Sequence, residues 1–83
     1  MIKSKRMKMI EAYDLSKNNM NEVSYSSKCY CYDCMSEINP KEISKFSGTG
    51  AICPHCGNVT IIPDVIDFDI TPEFLEAMKK FWC

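Results

Sequence analysis

Two short cysteine pairs, Cys31-Tyr32-Asp33-Cys34 and Cys53-Pro54-His55-Cys56, are the residues of this chain whose type and spacing can do chemistry. A Cys-x-x-Cys pair can wrap a tight turn around one cation, and two such turns joined by a spacer of some eighteen residues supply four thiolates to a closed tetrahedral site. One structural Zn2+ held by Cys31, Cys34, Cys53 and Cys56 is therefore the expected cofactor. Four sulfurs complete the coordination shell and leave no position for an activated water, so the chain is not expected to be an enzyme. Gly57, directly after the second pair, can take the left-handed backbone that closes such a turn. Met35 stands at the equivalent place after the first pair, where a glycine would ease the turn. Cys29 offers a competing thiolate two residues upstream of Cys31, but the matched spacing favours Cys31 with Cys34.

Three rival readings compete with zinc. Six cysteines in 83 residues can form a disulfide framework, which depends on an oxidising compartment. The basic start Met1-Ile2-Lys3-Ser4-Lys5-Arg6 resembles that of a signal peptide, but no apolar run of about seven residues follows it, and no segment has the length to span a membrane. The expected location is the cytoplasm, where thiols stay reduced. Iron is the second rival, because a Cys-x-x-Cys with a Cys-Pro-x-Cys-Gly also builds rubredoxin-like sites. The first pair lacks the following glycine and the spacer carries only Phe46 as an aromatic, which favours zinc. The third rival, that all four cysteines are small buried hydrophobes, does not account for their paired spacing. His55, inside the second pair, reads as a surface residue. Cys29 and Cys83 remain without an assigned role.

Residues 1–17 place Met7, Ile10 and Asp14 on one helical face and Met9 and Tyr13 on another, so a helix is expected there. The polar run 16–21 reads as a linker that separates an N-terminal arm, residues 1–22, from a metal-binding domain over 23–83. Alternation of Val23, Tyr25, Cys29 and Cys31 predicts a strand over 23–32 into the first cysteine turn. Asn39 can cap a single helical turn begun by Pro40. Ser47-Gly48-Thr49-Gly50 reads as a flexible turn, and Asn58–Ile62 as a β-branched strand that Pro63 ends. At the C-terminus, Thr71 can cap a helix begun by Pro72, with Phe74, Leu75, Met78, Phe81 and Trp82 along one side. That stripe reads first as core packing and second as an exposed docking helix.

A net charge of −1 hides a gradient, with six basic and three acidic residues over 1–28 against two basic and five acidic over 61–83. A uniformly basic chain would point to nucleic acid; this balance does not. Lys3, Lys5, Arg6 and Lys8 nonetheless form a basic arm that could meet phosphates, with Tyr25, Tyr30, Tyr32 and Phe46 as stacking surfaces. Asp33, Glu37 and Glu42 are interleaved with Lys28, Lys41 and Lys45, which favours an ordinary solvated surface over a phosphate-binding one. Asp64, Asp67 and Asp69 lack the glycine turn of a calcium loop and read as solvated.

The motifs Cys31-Tyr-Asp-Cys34, Ala51-Ile-Cys-Pro-His-Cys-Gly57, Val59-Thr-Ile-Ile-Pro-Asp64 and Ile70-Thr-Pro-Glu-Phe-Leu75 through Trp82 resemble a group of small cytoplasmic zinc-ribbon proteins of bacteria and phages. The likeness covers about two thirds of the chain; the N-terminal arm has no counterpart, and Cys83 replaces the usual last aromatic. It implies fold and metal and says little about activity. The expectation is thus a small α+β zinc ribbon, a short antiparallel sheet with two zinc knuckles, a C-terminal helix and an N-terminal helix. Its expected role is that of a non-catalytic adaptor or inhibitor of a larger protein, with Lys3, Lys5, Arg6, Lys8, Phe81 and Trp82 as partner-binding residues. A nucleic-acid-binding ribbon is the alternative and a rubredoxin-like electron carrier the third reading; no membrane or small-molecule substrate is expected.

Overall fold

The computed structural model describes residues 4–66 and 68–82. Helix α1 spans Lys5–Lys17 and begins at Ser4, whose hydroxyl accepts the Met7 N–H at 3.2 Å. Helix α2 spans Met20–Tyr25. Strands β1 (Cys29–Cys31) and β2 (Glu37–Ile38) follow, then a single 3-10 turn over Pro40–Glu42, a hairpin of β3 (Phe46–Ser47) and β4 (Gly50–Ala51), β5 (Ile61–Pro63), and helix α3 (Pro72–Trp82). This is a small α+β fold with short antiparallel sheets between an N-terminal and a C-terminal helix, and its cysteine cluster is compatible with a zinc ribbon. Among the described residues no helix is long and apolar enough to cross a membrane.

β1 is the centre of a three-stranded sheet ordered β2-β1-β5, and it pairs Cys31 with Ile61 and Cys29 with both Ile38 and Pro63. Two apolar clusters flank it. One joins Met9 and Ala12 of α1 to Tyr32, Ile62 and the Phe74, Leu75 and Met78 face of α3. The other gathers Val23, Ile38, Ala51 and Ile61 around the cysteine cluster.

The capped turns form as their residues dictate. Asn39 accepts the Lys41 N–H at 2.9 Å, while its own N–H donates to Glu42 at 3.1 Å, a reciprocal capping box. Thr71 accepts the Phe74 N–H at 3.1 Å at the start of α3. On α1 the Met9 side turns inward, while Met7 and Ile10 are exposed.

Three expectations are corrected. Residues 23–25, expected to begin a strand, belong instead to α2: only Val23 of that helix is buried, Tyr25 is 66% exposed, and among the described residues no strand pairs with it. The second strand starts at Ile61, since Asn58 and Val59 still belong to the turn leaving the second cysteine pair. The run 16–21 is not a solvated linker. Ser16 and Asn19 are wholly buried, and the Asn19 amide donates to the Ile61 carbonyl at 2.8 Å and accepts the Ala51 N–H at 2.8 Å. Its backbone N–H, together with that of Met20, is taken by the Thr49 carbonyl. One asparagine therefore ties the α1–α2 corner to both β4 and β5. Gly50 makes this corner possible: a Cβ there would lie 2.7 Å from Val59 Cγ1 and 3.0 Å from the Lys17 carbonyl oxygen.

Candidate metal centre

Each cysteine pair sits on a turn of the same construction. The amide of the first cysteine donates to the carbonyl five residues later, Cys31 to Ser36 at 3.0 Å and Cys53 to Asn58 at 2.9 Å. A following amide points back at its sulfur, Cys34 N–H to Cys31 Sγ at 3.4 Å and His55 N–H to Cys53 Sγ at 3.4 Å. The residue after each pair is left-handed, with φ 61° at Met35 and 78° at Gly57. Gly57 adopts this at no steric cost, whereas Met35 bears about 1–2 kcal/mol of strain to close the same turn. β1 delivers Cys31 to one side of the centre and β4 leads through Ile52 to Cys53 on the other. The turns are further joined by a hydrogen bond from the Asn58 amide to the Asp33 carboxylate.

The sulfurs of Cys31, Cys34, Cys53 and Cys56 all lie within 4.8 Å of one another and could hold one metal ion. Across the turns, Cys31 Sγ is 3.6 Å from Cys56 Sγ and Cys34 Sγ is 3.7 Å from Cys53 Sγ. A tetrahedron with metal–sulfur bonds of about 2.3 Å has edges of about 3.8 Å, which these two cross-turn separations match. The same separations are far from the length of about 2.0 Å of a disulfide. Cys31 and Cys53 are buried; Cys34 and Cys56 are half-buried.

Thiol chemistry differs around the cluster. Burial pushes Cys31 well up and raises Cys53, against the opposing pull of the backbone amides that face them. Burial also pushes Cys34 upward, but hydrogen bonds with Ser36, Cys31 and Cys53 outweigh it and bring this thiol down to about 7. The Thr60 hydroxyl lies 3.0 Å from Cys31 Sγ. Cys29 lies outside the cluster: its sulfur sits 3.4 Å from the Ser26 hydroxyl, and burial raises its pKa, with Asp64 adding to the rise. His55 is exposed and is not part of the four-cysteine cluster.

The other sequence-derived candidates divide. Lys3 lies outside the described residues. Lys5, Arg6, Phe81 and Trp82 converge, from the start of α1 and the end of α3, on a surface cavity of about 550 Å³ floored by Met9 and Ile10. Trp82 stacks on Tyr13 with ring centroids 4.0 Å apart, and Phe81 is 60% exposed. Lys8 instead sits 5.5 Å from the centre of the Phe68 ring. Sequence reasoning missed Thr60 and Asn19. Thr60 reads in Val-Thr-Ile-Ile as one more strand former, and Asn19 lies in a run whose polarity suggests solvent; neither carries a local signal for a long-range bond. Comparison with protein-family models, curated proteins and solved structures gives no match.

Proposed function

We propose that this chain is a non-catalytic zinc protein whose metal fixes a small scaffold that docks on a larger protein as an adaptor or inhibitor. The observation that carries the metal half is the convergence of the Cys31, Cys34, Cys53 and Cys56 sulfurs within 4.8 Å of one another. Zinc is the cation of this reading because it is redox-inert and takes four thiolates in structural sites. Once bound it locks the two turns together and, with its shell filled, activates no water. On this reading the chain is kin to the small bacterial and phage zinc ribbons that its motifs resemble, and it works in the cytoplasm, where thiolate ligands persist.

The adaptor half is supported by the cavity at the α1–α3 end. Lys5 and Arg6 border an apolar floor with Phe81 and Trp82, which combines the aromatic and arginine anchors that carry binding energy at protein interfaces. The Trp82 indole N–H is shielded from water and has no acceptor among the described residues.

The test is capture of native partners by the tagged, metal-loaded chain from a cell lysate, with and without nuclease, alongside Phe81→Ala and Lys5→Glu/Arg6→Glu chains. A stoichiometric protein that survives nuclease and is lost in both variants supports the reading. Capture that vanishes with nuclease, or that falls steeply between low and moderate salt, moves the function to nucleic-acid binding through the basic arm. Metal analysis runs on the same sample: visible thiolate-to-iron absorption would move it to a rubredoxin-like carrier.

A further inference from the structure

We propose that Thr60 is a positioning residue of the metal centre, and that through it the four ligands are unequal: Cys31 is held in place, while attack by electrophiles and exchange of metal begin at Cys34 and Cys56. This rests on the reading of the four cysteines as metal ligands. A ligating thiolate carries no proton, so across the 3.0 Å separation the Thr60 hydroxyl is the donor and the Cys31 sulfur the acceptor. Thr60 is only 6% exposed, leaving water little access to that hydroxyl, and its carbonyl accepts the Tyr32 N–H at 3.2 Å, which anchors the residue against β1 beside its target. The Cys31 sulfur therefore takes an O–H bond in addition to the Cys34 N–H at 3.4 Å.

Hydrogen bonds to a charged sulfur withdraw electron density, lower its nucleophilicity and fix its orientation toward the metal. Cys34 also takes hydrogen bonds from the Ser36 hydroxyl and N–H, so what sets it apart from Cys31 is exposure. Cys31 is fully buried, whereas Cys34 and Cys56 are half-buried and form the side of the centre that a reagent reaches. The Thr60 side chain is β-branched, so valine keeps its shape and removes only the donor, and serine keeps the donor and removes a methyl.

The zinc-loaded full-length chain is treated with limiting iodoacetamide, which forms a sulfur–carbon bond and expels iodide; freed zinc is read with a chromophoric chelator and labels are mapped by mass spectrometry. Cys34 or Cys56 is labelled before Cys31 in the unaltered chain. In Thr60→Val, labelling of Cys31 rises about tenfold or more, the scale of one charge-assisted hydrogen bond, and Thr60→Ser returns it to the original rate. In the cobalt-loaded chains the sulfur-to-cobalt charge-transfer band moves to longer wavelength in Thr60→Val and not in Thr60→Ser. A direct measurement needs no variant: in 113Cd-loaded protein the Thr60 hydroxyl proton exchanges slowly and couples to cadmium through Cys31. Labelling of Cys31 first, an unaltered rate and band in Thr60→Val, or a fast-exchanging uncoupled hydroxyl overturns the proposal. A chain that takes up neither zinc nor cobalt overturns the metal reading instead.

Discussion

Replacing Asn19 with alanine is expected to be among the most damaging single changes outside the cysteines. The side chain is 0% exposed and satisfies two backbone groups that are themselves buried, the Ala51 N–H and the Ile61 carbonyl, each at 2.8 Å. Alanine leaves both without partners. At about 1–3 kcal/mol for each unsatisfied buried group, the loss is about 2–6 kcal/mol, set against a net stability of about 5–15 kcal/mol for a typical domain. For a chain of this size that corresponds to a fall in Tm on the order of 10–40 °C. The assay is urea unfolding of the metal-loaded protein, followed by circular dichroism, with Asn19→Asp beside Asn19→Ala. Aspartate keeps an acceptor for Ala51 but faces the Ile61 carbonyl with a carboxylate, so it is not a rescue. Because Ala51 leads to Cys53 and Ile61 lies opposite Cys31, Asn19→Ala also lowers the chelator concentration at which metal is lost. A loss below about 1 kcal/mol, or full stability in the aspartate variant, would refute the claim that this one amide holds the corner together.

Removing the metal with a chelator is expected to unfold the segment from β1 to β5, because about 10–16 kcal/mol of structural zinc binding matches the net stability of a whole domain; an unchanged far-ultraviolet spectrum after stoichiometric removal refutes this. Met35→Gly relieves a left-handed residue whose side chain is 38% exposed and is expected to gain about 0.5–1 kcal/mol in urea unfolding, with metal affinity kept. Cys29 gives a pH test. Burial raises its folded pKa above the ordinary 9.0, so the unfolded thiol ionises first, and its contribution to stability, intact below pH 9, declines as pH rises beyond it. Tm between pH 8 and pH 10 therefore falls more in the metal-loaded native chain than in Cys29→Ala, and equal slopes refute the assignment.

What was legible in the sequence is what local chemistry specifies. The cysteine spacing, the Asn39 and Thr71 caps and the Phe74–Leu75–Met78 face are written in neighbouring residues, and each appears where expected. Residues 23–25 misled because alternating Val23 and Tyr25 mimic a strand, whereas whether a strand forms depends on a partner that sequence order does not reveal. Asn19 and Thr60 misled more deeply: their bonding partners lie 42 and 29 residues away, and a polar side chain looks the same in sequence whether it meets water or a buried carbonyl.

The outer side of β5 is closed to further strands. Thr60 turns its carbonyl toward β1, so the groups of Val59, Ile61 and Pro63 face outward. Lys17 Nζ donates to the Val59 carbonyl at 2.9 Å, Asn19 takes that of Ile61, and Pro63 has no N–H to offer. The opposite edge, β2, is only two residues long. Neither border can template a strand from another molecule, so the sheet resists the edge-to-edge association that threatens small β proteins. Recognition by β-augmentation on this sheet is closed off for the same reason, which turns attention to side-chain surfaces such as that between the helix ends.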